Sequence, residues 1–453
     1  MFDALFTTTT EYKKLSHALS GKGACALFGL PASGRAQVYA ALCRQLDKPL
    51  CIVTPGEAEA TRFAADLNTL GIPTAVFPAR DYVLRPIEGT AREYEYRRLA
   101  VLGELVGGRL RAVAVPAEAL TQFTTPKEDF CANTRTLHTG DTLLRDDLLA
   151  ALFGAGYTRR AQVDGPGQFS VRGDIVDIFA PDQKMPVRME FWGDEIDTLH
   201  TFDLTTQRRE DAIDKFYLSP AREVLFGKPA DAAEQLRAFL AKQRGKKKTA
   251  MADCMAADLD LLDGGAVPVN MDKYLAVRYP RPATVLDYFD DPILVAEEPA
   301  SIREADRATA YRRGEELSAL LQDGVLAAGL DNLYAENGYL WAQAANHRTI
   351  CAENFARSMP DIPLKDIVNA PAHTLPAWGG EVAALLEDIQ PLCSGGAAVT
   401  GGETTSVGRR VGCAKNAPYC ALRGVSSASG SVILSPSNAL SSGWRASSSR
   451  SSA

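Results

Sequence analysis

The sequence predicts an α/β fold in which a parallel sheet is interrupted by a small antiparallel β unit. Up to about residue 116, short apolar segments alternate with helical patterns, as in a parallel sheet covered on both faces. Residues 157–206 instead contain short strands separated by turn residues, and the first rhythm returns from about residue 210. The β unit is therefore predicted as an insertion in an α/β domain.

Length and charge set the broad class. The 453 residues, 46% of them hydrophobic, suffice for about three domains. The formal net charge is −7, from 49 Lys and Arg against 56 Asp and Glu. A protein that covers a nucleic-acid backbone with its whole surface is expected to be basic, so we expect any DNA contact to be local or made through a partner.

The sequence also suggests a cellular compartment. It contains neither a run of about 18 apolar residues nor the layout of a signal peptide, so we expect a cytoplasmic protein without a membrane contact. The nine cysteines are an odd, scattered set, and several lie in apolar segments, which favours reduced thiols.

The first α/β segment has strands separated by helices. Wholly apolar runs predict buried strands, and the helix after the second strand begins with two acidic residues, Glu57 and Glu59, which favour a helix N-terminus. The predicted strands are 24–28, 50–53, 75–77 and 110–115, and the predicted helices are 36–46, 57–70, 91–106 and 142–154.

The second half repeats this rhythm. Its predicted helices are 231–242, 250–262 and 302–321, its predicted strands are 284–288 and 293–296, and a further segment begins around Trp341. Residues 244–248, Arg-Gly-Lys-Lys-Lys, are predicted as a solvated loop between helices; a weak phosphate-contacting patch is the alternative.

A phosphate-loop pattern with two mismatches follows the first predicted strand. Residues 29–36 read GLPASGRA, so Gly29 and Gly34 keep the spacing of Gly-x4-Gly-Lys-[Ser/Thr], and Ser33 lies just before the second glycine. Arg35 stands in place of the lysine that reaches the terminal phosphates, and Ala36 in place of the hydroxyl that binds magnesium. We expect a vestigial loop that neither binds nor hydrolyses ATP productively; weak anion binding and active hydrolysis are the alternatives.

The last 60 residues differ from the rest in composition. Residues 394–453 contain 15 serines and residues 1–393 only eight, and the tail has one acid, Glu403, against six bases. Either a frameshifted or truncated reading frame or a disordered Ser/Arg-rich tail explains this shift, and we favour the first. We assign the tail no chemistry, because Cys413 and Cys420 lack a second pair at zinc spacing.

The β unit carries the candidate binding surface. Strict alternation at 187–192 places Val187, Met189 and Phe191 on a core face and Arg188, Glu190 and Trp192 on the other face. Arg172 is expected to begin a neighbouring strand and to lie beside Arg188. Trp and Arg are enriched at interaction hot spots. The alternative is that Trp192 caps the sheet edge and Arg188 solubilises it.

No other catalytic or metal-binding pattern is visible in the sequence. The five histidines are dispersed, and neither a nucleophile triad nor a ligand spacing accompanies them (His17, His138, His200, His347 and His373). We therefore expect no catalytic residues, no metal and no cofactor in this chain.

Three stretches carry a resemblance to a known family. GQFSVRGDIVDIFAP at 167–181, PVRMEFWGDEID at 186–197 and FDLTTQR at 202–208 resemble the UvrA-interaction domain that UvrB shares with the bacterial transcription-repair coupling factor (Mfd) family. The resemblance covers roughly residues 1–393. The degenerate loop at Arg35 and Ala36, and the short passage from Phe77 into the 91–106 helix, which leaves little room for a DNA-gripping hairpin, favour the coupling factor over UvrB.

The resemblance implies a domain plan. A degenerate phosphate-loop, helicase-type α/β domain begins the chain, a UvrA-interaction domain follows, the α/β module continues, a partial third α/β domain comes next, and the tail ends the chain. The predicted boundaries are 1–122, 123–208, 209–338, 339–393 and 394–453.

The resemblance also implies a function, the recruitment of UvrA in transcription-coupled nucleotide-excision repair. Arg172, Arg188 and Trp192 stand at the family's UvrA-contacting positions, although the family aromatic is commonly Phe. The family's ATP- and magnesium-dependent DNA translocase and its RNA-polymerase-binding part are expected to be missing from this chain. Contacts with polymerase and DNA are therefore expected only through those missing domains. The alternative is a diverged UvrB-type helicase subunit that verifies damage with ATP.

Overall fold

The computed structural model describes residues 7–87, 92–355, 362–370 and 387, and three short strands in the tail. The first part alternates strands and helices. Its strands β1, β2 and β4 are buried almost throughout, as expected of central parallel strands covered on both faces. Its elements are α1 Thr10–Ala18, β1 Gly23–Phe28, α2 Ala32–Leu46, β2 Leu50–Thr54, α3 Glu57–Thr69, β3 Thr74–Val76, α4 Glu93–Val106, β4 Ala112–Pro116, α5 Ala117–Leu120 and α6 Lys127–Ala132.

The β unit follows. Its elements are β5 Arg135–His138, α7 Arg145–Gly154, β6 Thr158–Arg159, β7 Gln168–Arg172, β8 Ile175–Phe179, β9 Val187–Trp192, β10 Glu195–Phe202, β11 Arg209–Ala212 and β12 Lys215–Leu218. Six of its strands form one sheet in the order β11-β10-β9-β8-β7-β6, and β12 pairs with β5. The neighbours from β7 to β11 are antiparallel. A two-residue turn joins β9 to β10, and Gly193 adopts the left-handed φ of 64° that such a turn requires.

The remaining elements return to the α/β pattern. They are α8 Pro229–Ala241, α9 Gly245–Asp263, a 3-10 helix Met271–Tyr274, α10 Leu275–Arg278, a 3-10 helix Val285–Tyr288, β13 Ile293–Glu297, α11 Pro299–Gln322, α12 Tyr339–Ala344, β14 Arg348–Glu353 and β15 Leu364–Asn369. In the tail β16 Ala398–Gly401, β17 Val411–Gly412 and β18 Ile433–Ser435 form a small antiparallel sheet.

A seven-stranded parallel sheet joins the two halves of the chain. Its order is β15-β1-β14-β13-β2-β4-β3, so strands from after the β unit lie between β1 and β2. The β unit is therefore an insertion in the chain of one sheet, and the predicted α/β fold with an antiparallel interruption is confirmed.

The structure corrects three details of the sequence analysis. Residues 285–288 form a 3-10 helix instead of a strand, because the side chains of Thr284 and Asp287 form a capping box. Residues 245–248 belong to the first turn of α9 instead of a loop. The segment expected to open a third α/β domain supplies β14 and β15, which pair with both sides of β1. The remaining domain boundaries stay a prediction.

A buried charge network ties the β unit to the parallel sheet. Glu223, just after β12, accepts hydrogen bonds from Arg98 of α4 at 2.5 and 3.3 Å, and both side chains are fully buried. Arg80 approaches Glu223 at 3.3 Å and pairs with Asp272 at 2.7 Å. The Glu223 backbone N–H donates to Glu95 at 2.9 Å. Because lone buried charges are costly, these groups depend on one another.

Among the helices of the described residues, none combines the length and apolar character that crossing a membrane requires.

Candidate functional site

The outer face of the six-stranded sheet carries the predicted binding residues. Val187, Met189 and Phe191 of β9 are buried in the core of the β unit, between the sheet and α7. Arg188 and Trp192 project from the opposite face of the same strand. The alternation read from the sequence is therefore present.

Asp177 lies at the centre of this face. It occupies β8 directly opposite Arg188 of β9, and its carboxylate is fully buried. Arg188 donates from Nε to Oδ1 at 2.7 Å and from Nη2 to Oδ2 at 2.9 Å, and Arg172 donates from Nη2 to Oδ2 at 2.8 Å. One carboxylate thus binds both arginines, and the bidentate geometry with Arg188 is the stronger kind.

Arg188 is held on several sides. Its Nη1 donates to the carbonyl oxygen of Gln207 at 3.2 Å, and its guanidinium lies 4.7 Å from the centre of the Phe202 ring. Its side chain is 11% exposed, against 50% for Arg172. The hydrogen bonds to Asp177 raise the pKa of the Arg188 guanidinium above its ordinary value, so the group stays charged.

Trp192 is the most exposed large hydrophobic side chain among the described residues, at 82%. It ends β9 at the turn of Gly193, opposite Glu195 of β10. An indole that exposed buries little area within its own sheet. It is therefore free to supply contact area to another molecule.

The structure corrects the expected position of Arg172. Arg172 is the last residue of β7 instead of the first residue of a strand, and β8 separates it from β9. The two arginines meet only through Asp177, which the sequence analysis did not single out. The signal for it was a carboxylate inside the otherwise apolar strand Ile175–Phe179.

The degenerate phosphate loop has an internal partner. Gly29 follows β1, and Ser33, Gly34, Arg35 and Ala36 belong to the first two turns of α2. Arg35 Nη2 lies 3.0 Å from Glu297 Oε2, and Arg35 Nη1 lies 2.9 Å from Glu298 Oε1. Arg35 is 3% exposed, and its positive charge is compensated by these two carboxylates of the same protein.

Glu297 and Glu298 are partners of Arg35 that the sequence analysis did not single out. Glu297 ends β13, at the same edge of the sheet as the loop after β1, where a phosphate-loop hydrolase holds its metal-binding acid. Burial raises the pKa of Glu297 to about 7, although Arg35 and a short hydrogen bond from the Tyr39 hydroxyl oppose this. The signal was the pair of acids that follows a buried strand.

The loop is also close to the chain after β15. Gly29 has a φ of +90°, and a Cβ there would lie 2.7 Å from the carbonyl oxygen of Ala370. The Ala370 backbone N–H donates to the Phe28 carbonyl at 2.9 Å. Ala36 is fully buried and offers no oxygen for a metal. In the part of the chain that the structure describes, no group of three or more His, Cys, Asp or Glu side chains is placed to hold a metal ion.

Comparison with known proteins defines the class of the β unit. A family model described as the UvrB interaction domain matches residues 136–224, which include Asp177 and the three predicted binding residues. The β unit is thus similar to the UvrB interaction domain.

The similar proteins are transcription-repair-coupling factors. The transcription-repair-coupling factor of Bacillus subtilis (strain 168) is 25% identical over 375 residues, which cover 80% of this chain and 32% of the relative. The transcription-repair-coupling factor of Staphylococcus aureus (strain MRSA252) is 25% identical over 305 residues, which cover 65% of this chain and 26% of the relative. That of Myxococcus xanthus is 35% identical over 207 residues, covering 44% and 17%.

These matches confirm the predicted resemblance to the N-terminal region of the transcription-repair coupling factor. The chain spans less than a third of the length of these relatives.

Proposed function

We propose that this chain recruits UvrA for transcription-coupled nucleotide-excision repair, and that the sheet face around Asp177 is the docking surface. The observation that carries the proposal is the placement of an 82% exposed indole on the same face as two carboxylate-bound arginines. Exposed aromatic and arginine side chains that become buried in a complex supply most of its binding energy.

Each side chain has a role in this proposal. Trp192 is the apolar anchor, which requires a hydrophobic pocket on UvrA. The guanidinium groups of Arg172 and Arg188 give the surface a positive charge that suits an acidic patch on UvrA. The engagement of RNA polymerase and DNA is, in this proposal, a property of other domains of coupling factors.

Binding to purified UvrA tests the proposal. Replacement of Trp192 or Arg172 by Ala is expected to weaken binding by about 2 kcal/mol or more, as at a hot spot. Glu210→Ala is the matched control, because Glu210 is exposed on β11, the far edge of the same sheet. Binding of UvrA that is undiminished in the Arg172→Ala/Trp192→Ala double variant would overturn the proposal.

A further inference from the structure

We infer that Arg188 is a positioning residue: through Asp177 it holds Arg172, and Arg172 is the cation that contacts UvrA. This inference rests on the proposed function and divides the labour among its residues. It also adds Asp177 to the docking surface as a second positioning residue.

The donors of Arg188 are largely committed within the protein. A guanidinium has five N–H groups on three nitrogens. In Arg188 all three nitrogens donate within the β unit, two to Asp177 and one to the Gln207 carbonyl, and the ring of Phe202 lies against the group. A carboxylate of a partner would have to break these bonds before it could bind Arg188 bidentately.

Arg172 is placed differently. Its described hydrogen bond uses Nη2 alone, and half of its side chain is exposed. It is the last residue of β7, just before the turn at Gly173. Asp177 therefore holds one nitrogen of this guanidinium while half of the side chain stays exposed, which is a preorganised arrangement for a partner carboxylate.

The charge of the cluster points the same way. Two guanidinium groups share one buried carboxylate, so the cluster presents a net charge of about +1. One acidic group on UvrA, set beside the pocket for Trp192, suffices to complement it. Two independent arginine contacts would need two such groups.

Replacement of Asp177 by Asn separates this inference from its main competitor. If Asp177 only competes with UvrA for the arginines, its neutralisation strengthens UvrA binding. If Asp177 positions Arg172, the same change weakens UvrA binding about tenfold, since a hydrogen bond to a charged group is lost. Asp211→Asn is the matched control, because it neutralises an exposed carboxylate on β11 of the same sheet. It is expected to change the affinity for UvrA less than twofold.

A double-mutant cycle gives a second test that does not depend on the Asp177 variant being folded. In the wild-type background, Arg188→Gln is expected to weaken UvrA binding about tenfold. In the Arg172→Ala background the same change is expected to cost less than about twofold, because a residue that acts through another is silent once that residue is gone. Circular dichroism and thermal unfolding identify the variants that are folded.

The outcomes distinguish this inference from the proposed function. Independent, multiplying effects of Arg172→Ala and Arg188→Gln, or tighter binding by Asp177→Asn, would overturn the positioning role and leave the docking surface in place. Unchanged UvrA binding in the Arg172→Ala/Trp192→Ala double variant would overturn the docking surface itself. Weaker binding by folded Asp177→Asn together with a silent Arg188→Gln in the Arg172→Ala background supports both.

Discussion

Arg35 and Glu297 form an ion pair of 3.0 Å at the edge of the sheet where a phosphate-loop protein meets its nucleotide. Both side chains are almost completely buried, and Glu298 adds a second carboxylate to the same guanidinium. The side chain that stands at the position of the phosphate-binding lysine therefore neutralises acids of its own protein. Arg35 is thus part of the protein core.

Loss of Arg35 is expected to destabilise the fold. Above pH 7, where Glu297 is ionised in the folded protein, Arg35→Met would leave a buried carboxylate without its cation, which costs about 3–5 kcal/mol in the free energy of unfolding. Lys48→Met is the control, because Lys48 pairs with Asp291 in a partly exposed pair worth about 0–1 kcal/mol. Urea denaturation of the two variants measures the difference. Equal stabilities would contradict the structural role of Arg35.

The stability of the protein is expected to depend on pH through Glu297. Its pKa is raised from 4.5 to about 7 in the folded chain, so between these values the folded state holds a proton that the unfolded state releases. The free energy of unfolding therefore contains a contribution that is complete below pH 4.5 and is lost as the pH rises to about 7.

The variant Glu297→Gln isolates this contribution, because an amide does not ionise. Subtraction of its stability curve from that of the wild type, measured by urea denaturation between pH 4 and 8, should leave a difference that falls with pH through this window and is level above it. Parallel curves for the two proteins would show that Glu297 has an ordinary pKa.

ATP turnover is expected to be absent, and restoring the motif is expected not to create it. In the Arg35→Lys/Ala36→Thr variant the new lysine would face Glu297 and Glu298, and the loop would remain close to Ala370. Phosphate release is the measurement, with an intact phosphate-loop ATPase as the positive control. Saturable hydrolysis by the wild-type protein would instead favour a UvrB-type helicase.

The aromatic character of position 192 is expected to matter more than the indole itself. Trp192→Phe keeps a flat apolar anchor, so we expect UvrA binding to remain within about fivefold of the wild type, whereas Trp192→Ala should lose about 2 kcal/mol or more. Neither change should alter the melting temperature, because the side chain is 82% exposed. A Phe variant as weak as the Ala variant would indicate that the indole N–H is required.

The alternation of residues within β9 was enough to predict which of its side chains lie on the candidate binding surface. A strand of period two fixes which side chains share a face, so the positions of Arg188 and Trp192 followed from the order of residues at 187–192. These features depend on neighbours in sequence, and the sequence therefore predicted them.

Contacts between distant segments were not predictable in this way. The bridge through Asp177 depends on the register of three strands, and the pairing of Arg35 with Glu297 depends on β13 entering the sheet between β14 and β2. The 3-10 helix at 285–288 is a different case. Its Thr284 and Asp287 are a local helix-start signal, which the apolar residues between them concealed.

The bond between Arg98 and Glu223 has a mechanical consequence. It couples the inserted unit to α4 through charges that have no access to water, and Arg80 and Asp272 extend the coupling to the segment that follows α9. Rotation of the β unit would leave several of these buried charges without their partners. Rotation of the β unit against the parallel sheet is therefore opposed by the cost of separating these buried ion pairs.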